Sequence, residues 1–180
     1  MNITVYLGAN QGNSDKFTAA IEELGAFIGK RGDTLVYGGS KTGYMGIIAD
    51  SALNAGGKVI GVETKMFVEM DRQHNSLTEL IVTENMPERK TKMIELGDAF
   101  IAFPGGTGTL EEISEVMSLV SLKILDAPCI LYNLDGYYNG LKELFNTMIS
   151  YGLSSKERQK GIYFASDVSE IAEILNQKQK

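Results

Sequence analysis

The sequence has one cysteine, one histidine, no excess of basic residues and no apolar run of membrane-spanning length. Each shortage excludes a class of function. The single cysteine, Cys129, has no internal disulfide partner. It lies in the apolar run "PCILYNL" and reads as a buried strand thiol rather than a nucleophile. The lone histidine, His74, supplies no metal cluster, and no cysteine motif supports one. It falls between Lys65 and Thr78, a segment that fits either a short helix or a loop over a site. There it is expected at the surface, with a lid contact as the alternative. The formal net charge of -6 argues against nucleic-acid binding, which leaves a basic footprint. It leaves room for a small anion, because backbone N–H groups bind one locally. "MNITVYLGAN" lacks a basic segment followed by an apolar one, so no signal peptide is expected and the cytoplasm is the default location.

What is present in quantity is glycine. Twenty of 180 residues are glycine, above the usual share of about 7%. Many sit in short clusters that read as turns rather than as a linker. No second domain, internal repeat or low-complexity segment is visible, so residues 1–180 are expected to form one domain. Seven short apolar runs, from "ITVYLG" to "GIYFAS", suit strands buried on both faces. Helix-period segments lie between most of them. In "SDKFTAAIEELGAFIGK", Phe17, Ile21, Leu24 and Ile28 recur at three and four, behind Ser14 as N-cap. Pro87 suits the opening of another helix. The alternation predicts an α/β fold, an open, Rossmann-like parallel sheet of about seven strands flanked by helices.

Such sheets bind ligands beyond the C-terminal ends of their strands. Three glycine-containing loops are expected there: "GANQGNS", "GGSKTGYMG" and "PGGTGT". The last two run into helices, whose free N–H groups and dipole favour phosphate. None matches a standard nucleotide fingerprint. A Walker loop needs glycine directly before the lysine of Gly-Ser-Lys-Thr, and "GGTGTLEE" lacks the third glycine of a dinucleotide loop. Thr109-Leu110-Glu111-Glu112 fits a capping box, with Thr109 as cap and Glu112 reaching back. A glutamate so close to an anion loop also points at the ligand. Arg89 and Met93 share one face of the helix beginning near Pro87, and Arg89 taken alone reads as a surface residue.

Two segments, Met86-Pro87-Glu88-Arg89-Lys90 and Pro104 through Glu112, carry a resemblance. In order and separation they resemble the Met-x-x-Arg-Lys and Pro-Gly-Gly-x-Gly-Thr-x-x-Glu motifs of the Lonely Guy family of nucleotide hydrolases. Flanking segments such as "LVYGGSKTGYMGIIADSALNAGGKVIGV" and "LDGYYNGL" are also similar, so the likeness covers nearly the whole chain. The resemblance implies a Rossmann-like homodimer with sites near the subunit contact. It implies hydrolysis of the N-glycosidic bond of a purine nucleoside 5′-monophosphate, AMP or a cytokinin riboside monophosphate, without metal or cofactor. The products are free base and ribose 5-phosphate. It assigns Arg89 and Glu112 as the catalytic pair. Gly39, Ser40, Met86 and Lys90 bind substrate, with Gly105, Gly106, Thr107, Gly108 and Thr109 taking the phosphate. Three places depart from the pattern: Leu7-Gly8-Ala9-Asn10, Ser40, and Glu63-Thr64, where the family commonly has Ile-Pro.

The chemistry is consistent with those residues. Breaking a ribose–purine bond puts positive charge on the sugar and negative charge on the base. A carboxylate at Glu112 would stabilise the former or activate water. Arg89 stays protonated, so it fits an electrostatic clamp on phosphate or on the departing base. No residue is marked as proton donor to the base. Asp98 is expected at the wrong sheet end, and Glu111 on the solvated side of its helix. The competing reading is a module that binds or senses a nucleotide without cleaving it. Lysine decarboxylase, a label carried by similar sequences, finds no identifiable Schiff-base lysine here.

Overall fold

Strand-forming runs and helical segments alternate along the chain, and the computed structural model, which describes residues 1–177, shows where each begins. In chain order these are β1 (Asn2–Tyr6), α1 (Asp15–Lys30), β2 (Thr34–Tyr37), α2 (Gly43–Asn54), β3 (Lys58–Thr64), α3 (Lys65–Glu69) and β4 (Glu79–Thr83). Then follow α4 (Met86–Leu96), β5 (Ala99–Ala102), α5 (Thr107–Ser121), β6 (Cys129–Tyr132), α6 (Asn139–Ser150), β7 (Ile162–Ala165) and α7 (Val168–Gln177). The strands form one sheet in the order β4-β3-β2-β1-β5-β6-β7. Every pairing is parallel. Strand order reverses between β1 and β5, which opens a crevice at the C-terminal sheet edge.

Two cores lie on either side of this sheet. Ile3 and Val5 of β1 pack with Ile21, Leu24 and Ile28 of α1, Ile48 of α2 and Leu175 of α7. Tyr6, Val36, Val62 and Phe100 point the other way, onto Met93 of α4 and Ile113 and Val116 of α5. The period-2 alternation of each strand therefore serves both faces, which is why the runs are apolar nearly throughout. Cys129 is buried in β6, as its neighbours predict. Close passage of α1 over α2 depends on small residues. A Cβ on Gly25 would sit 2.7 Å from the Ile48 carbonyl oxygen, and one on Gly29 2.6 Å from that of Ala52.

Helix starts differ from expectation in an informative way. Ser14 stands at the N-cap of α1 but makes no side-chain cap bond. The capping box expected at Thr109–Glu112 does not form: α5 begins earlier, with Gly106 as N-cap. Leu110 N donates to the Gly106 carbonyl at 3.1 Å, so Thr109 lies inside the first turn and Glu112 in the second. The reciprocal cap is found on α4 instead. Asn85 Oδ1 accepts from Glu88 N at 2.9 Å, and the Glu88 carboxylate takes the Glu84 amide at 3.1 Å. Asn85→Ala is expected to remove about 1 kcal/mol of stability, read by denaturant unfolding.

The segment after α3 folds back over the second glycine loop. Lys41 N donates to Arg72 O at 2.9 Å and His74 N to Gly39 O at 2.8 Å, flanking a bridge between Ser40 and Gln73. His74 Nε2 lies 2.9 Å from Asp50 Oδ1. The segment thus holds a short helix and a pinned turn.

Candidate active site

The crevice holds a cleft of about 710 Å³, a usual size for a small-molecule site. Four strand ends contribute to it. The loop after β1 supplies Leu7 to Asn13, the loop after β2 supplies Ser40, and β3 supplies Glu63. The loop after β5 supplies Pro104 to Gly106, and the first turn of α5 supplies Thr107 to Thr109. Met86 and Arg89 enter from α4, Glu112 from α5, and Phe17, Tyr44, Met45, Phe67 and Tyr137 add apolar and aromatic surface.

One end is built to take an anion. The amides of Thr107, Gly108 and Thr109 precede the first intrahelical bond of α5, so no carbonyl of the helix receives them. They carry the positive end of a 15-residue helix dipole. The loop that sets their direction is tied by two tyrosines. Tyr137 Oη donates to the Gly105 carbonyl at 2.5 Å, and Tyr138 Oη to that of Phe103 at 2.9 Å.

The middle of the cleft holds a buried ion pair. Arg89 Nη1 donates to Glu112 Oε1 at 2.9 Å. The residues are 5% and 8% exposed. Arg89 is also held at its other two nitrogens: Nε donates to Val62 O at 2.9 Å and Nη2 to Gly38 O at 3.2 Å. The ends of β2 and β3 therefore grip the guanidinium and aim one nitrogen at Glu112. This corrects one sequence expectation: taken alone Arg89 reads as a surface residue, whereas it is buried and holds Glu112. Burial pushes the Glu112 carboxyl above its ordinary range, against the pull of Arg89.

Gly38 makes that grip feasible. A Cβ there would lie 2.1 Å from Arg89 Nη2. Gly38→Ala is expected to displace the guanidinium, destabilise the protein by about 1–3 kcal/mol and reduce activity with it. Parallel measurement of the melting temperature and turnover checks both parts.

Of the sequence-assigned site residues, Ser40, Met86, Arg89, Glu112 and Gly105 through Thr109 meet in this one cleft. Gly39 and Lys90 do not line it. Gly39 takes φ +80 to turn the chain and packs against Glu63. Lys90 Nζ is bound by Glu111 and by Glu115, the latter at 3.1 Å, because it leaves α4 on the side facing the surface of α5. Asp98 accepts the Asn2 amide at the opposite sheet end, as expected.

Sequence reasoning passed over Glu63 as a site residue. It is 3% exposed, lines the cleft, accepts the Thr64 amide at 2.9 Å and lies 3.7 Å from Arg89 Nε. The available signal was a glutamate closing an apolar strand. Tyr137 and Tyr138 carried no such signal, since their partners are backbone carbonyls remote in sequence.

Comparison with known proteins agrees with this architecture. The family model described as "Possible lysine decarboxylase" matches residues 45–175. The cytokinin riboside 5′-monophosphate phosphoribohydrolase of Rhodococcoides fascians is 43% identical over 141 residues, 78% of this chain and 71% of that protein. One from Arabidopsis thaliana is 36% identical over 173 residues, covering 96% and 81%. Among solved structures, the Moco carrier protein of Chlamydomonas reinhardtii superposes with a TM-score of 0.74 at 21% identity, over 98% of this chain and 95% of that one. The molybdenum cofactor binding protein of Rippkaea orientalis gives 0.73 at 21%, over 99% and 97%. At that identity the likeness is one of fold. The sequence matches reach further, and by them this chain belongs to the Lonely Guy family, the group whose model bears the decarboxylase description.

Proposed function

We propose that this protein hydrolyses the N-glycosidic bond of a purine nucleoside 5′-monophosphate, AMP or a cytokinin riboside monophosphate, to free base and ribose 5-phosphate. The observation that carries this is the placement of Glu112, held by the buried Arg89 of α4, on the helix whose start forms the anion site. Glu112 lies five residues beyond Thr107, roughly 7.5 Å along the axis. That span is comparable to ribose 5-phosphate. A phosphate on the amides of Thr107 to Thr109 sets the sugar beside the carboxylate. Phe67, Met45 and Met86 remain for the base. The relatives named above act on the cytokinin riboside monophosphate of their own names, which supports the same substrate class here.

In the reaction, Glu112 supports the positive charge that grows on the ribose ring and accepts a proton from the attacking water. Arg89 keeps Glu112 oriented, and the helix start fixes the far end of the substrate, so the reacting bond is held in place. A decarboxylase using pyridoxal phosphate is not favoured: among the described residues no lysine lines the cleft to form its Schiff base.

The test is incubation with AMP and with a cytokinin riboside monophosphate, following free base and ribose 5-phosphate by chromatography. Release of both products in equal amount is the expected result. Binding of these nucleotides with no cleavage would replace this reading with a sensing module.

A further inference from the structure

The geometry points to Glu63 as the acid that protonates the departing base. This rests on the hydrolase reading above and supplies the proton donor that the motif residues leave unassigned. Two carboxyls, Glu63 and Glu112, line the same cleft and flank one buried guanidinium. Arg89 treats them unequally. It gives Glu112 a hydrogen bond at 2.9 Å, while its Nε–H, the one nearest Glu63, is spent on Val62 O. Glu63 stands 3.7 Å from Nε and receives only the Thr64 amide.

Two buried acids beside one buried cation favour keeping one proton, and it belongs on the acid without the arginine hydrogen bond. The other charged and titratable groups facing Glu63 do not reverse this. Arg72 lines the same cleft from the exposed turn after α3, where solvent screens its charge, and Tyr37 of β2 is a neutral phenol. Burial pushes the Glu63 carboxyl up, against the Thr64 amide, Arg89 and Arg72.

Position suits the role as well. With phosphate at the start of α5 and ribose at Glu112, the base extends across Arg89 toward β3. There Glu63 and Phe67 follow one another along the chain as cleft-lining residues. As the C1′–N9 bond breaks, its electron pair goes to the base and the Glu63 proton passes to a ring nitrogen. Water adds to C1′ and gives its proton to Glu112. Exchange with solvent then returns a proton to Glu63 and removes one from Glu112.

The test compares AMP with 4-nitrophenyl riboside 5-phosphate, whose leaving group needs no proton. Glu63→Gln is expected to slow AMP cleavage about 100-fold and nitrophenolate release by less than about threefold. Glu112→Gln should slow both. In wild type, kcat for AMP should fall as pH rises through the Glu63 titration, and kcat for the nitrophenyl substrate should lack that limb. These wild-type profiles decide the matter even if Glu63→Gln fails to fold. Equal losses on the two substrates, no loss on AMP, or identical alkaline limbs would overturn the assignment while leaving the hydrolase reading intact. A wild type that cleaves neither substrate would overturn both.

Discussion

Glu112→Gln is expected to lower turnover of AMP by about 100-fold or more while leaving binding within a few-fold. Glutamine keeps the length of glutamate and still offers an oxygen to Arg89 Nη1, so the contact at 2.9 Å has a replacement. What disappears is the negative charge. Without it the cationic ribose loses its nearest counter-charge and the water its proton acceptor. The proposed phosphate anchor is separate, since it consists of backbone amides of the preceding turn. Binding of ribose 5-phosphate by calorimetry should therefore survive, and single-turnover release of adenine should not. A variant that turns over normally would remove Glu112 from the catalytic role.

Arg89→Ala is expected to cost about 3–5 kcal/mol of stability. The guanidinium neutralises a carboxylate that is 8% exposed and donates to two carbonyls at the strand ends. Removing it leaves Glu112 charged, buried and unpaired, with Glu63 nearby. A double variant, Arg89→Met with Glu112→Leu, separates charge from packing. Removing both charges with apolar side chains of similar size should recover much of the loss, yet the protein should stay inactive. Denaturant unfolding of the two single variants and the double measures the coupling. If Arg89→Ala unfolds within about 1 kcal/mol of wild type, the pair does not organise the site as described.

The two residues show how far local pattern reaches. Arg89 reads as a surface residue because its helix is polar and short: Pro87, Glu88, Lys90 and Lys92 surround it. Its burial comes from strands that lie 27 and 51 positions away in sequence, Val62 and Gly38. No window along α4 contains them. Glu112 shows the opposite error. A local rule, the capping box, explains it without any tertiary contact, and α5 begins too early for that rule to apply. Gly106 caps the helix without a side chain, leaving its first amides free for an anion.

Strand and helix alternation, the parallel sheet and the glycine loops at its C-terminal edge were determined by the sequence alone, because each depends on periodicity, turn residues and chain handedness over short spans. The two family motifs likewise singled out Arg89, Glu112 and the Gly105–Thr109 loop. Tertiary structure decided the rest. It chose Arg89 as the holder of Glu112, turned Lys90 away to Glu111 and Glu115, brought Tyr137 and Tyr138 under the anion loop, and set Glu63 beside the ion pair. The physical reason is common to all of these. A buried charge or an unpaired carbonyl must find its partner wherever the fold brings one, and such partners come from neighbouring strands rather than neighbouring residues.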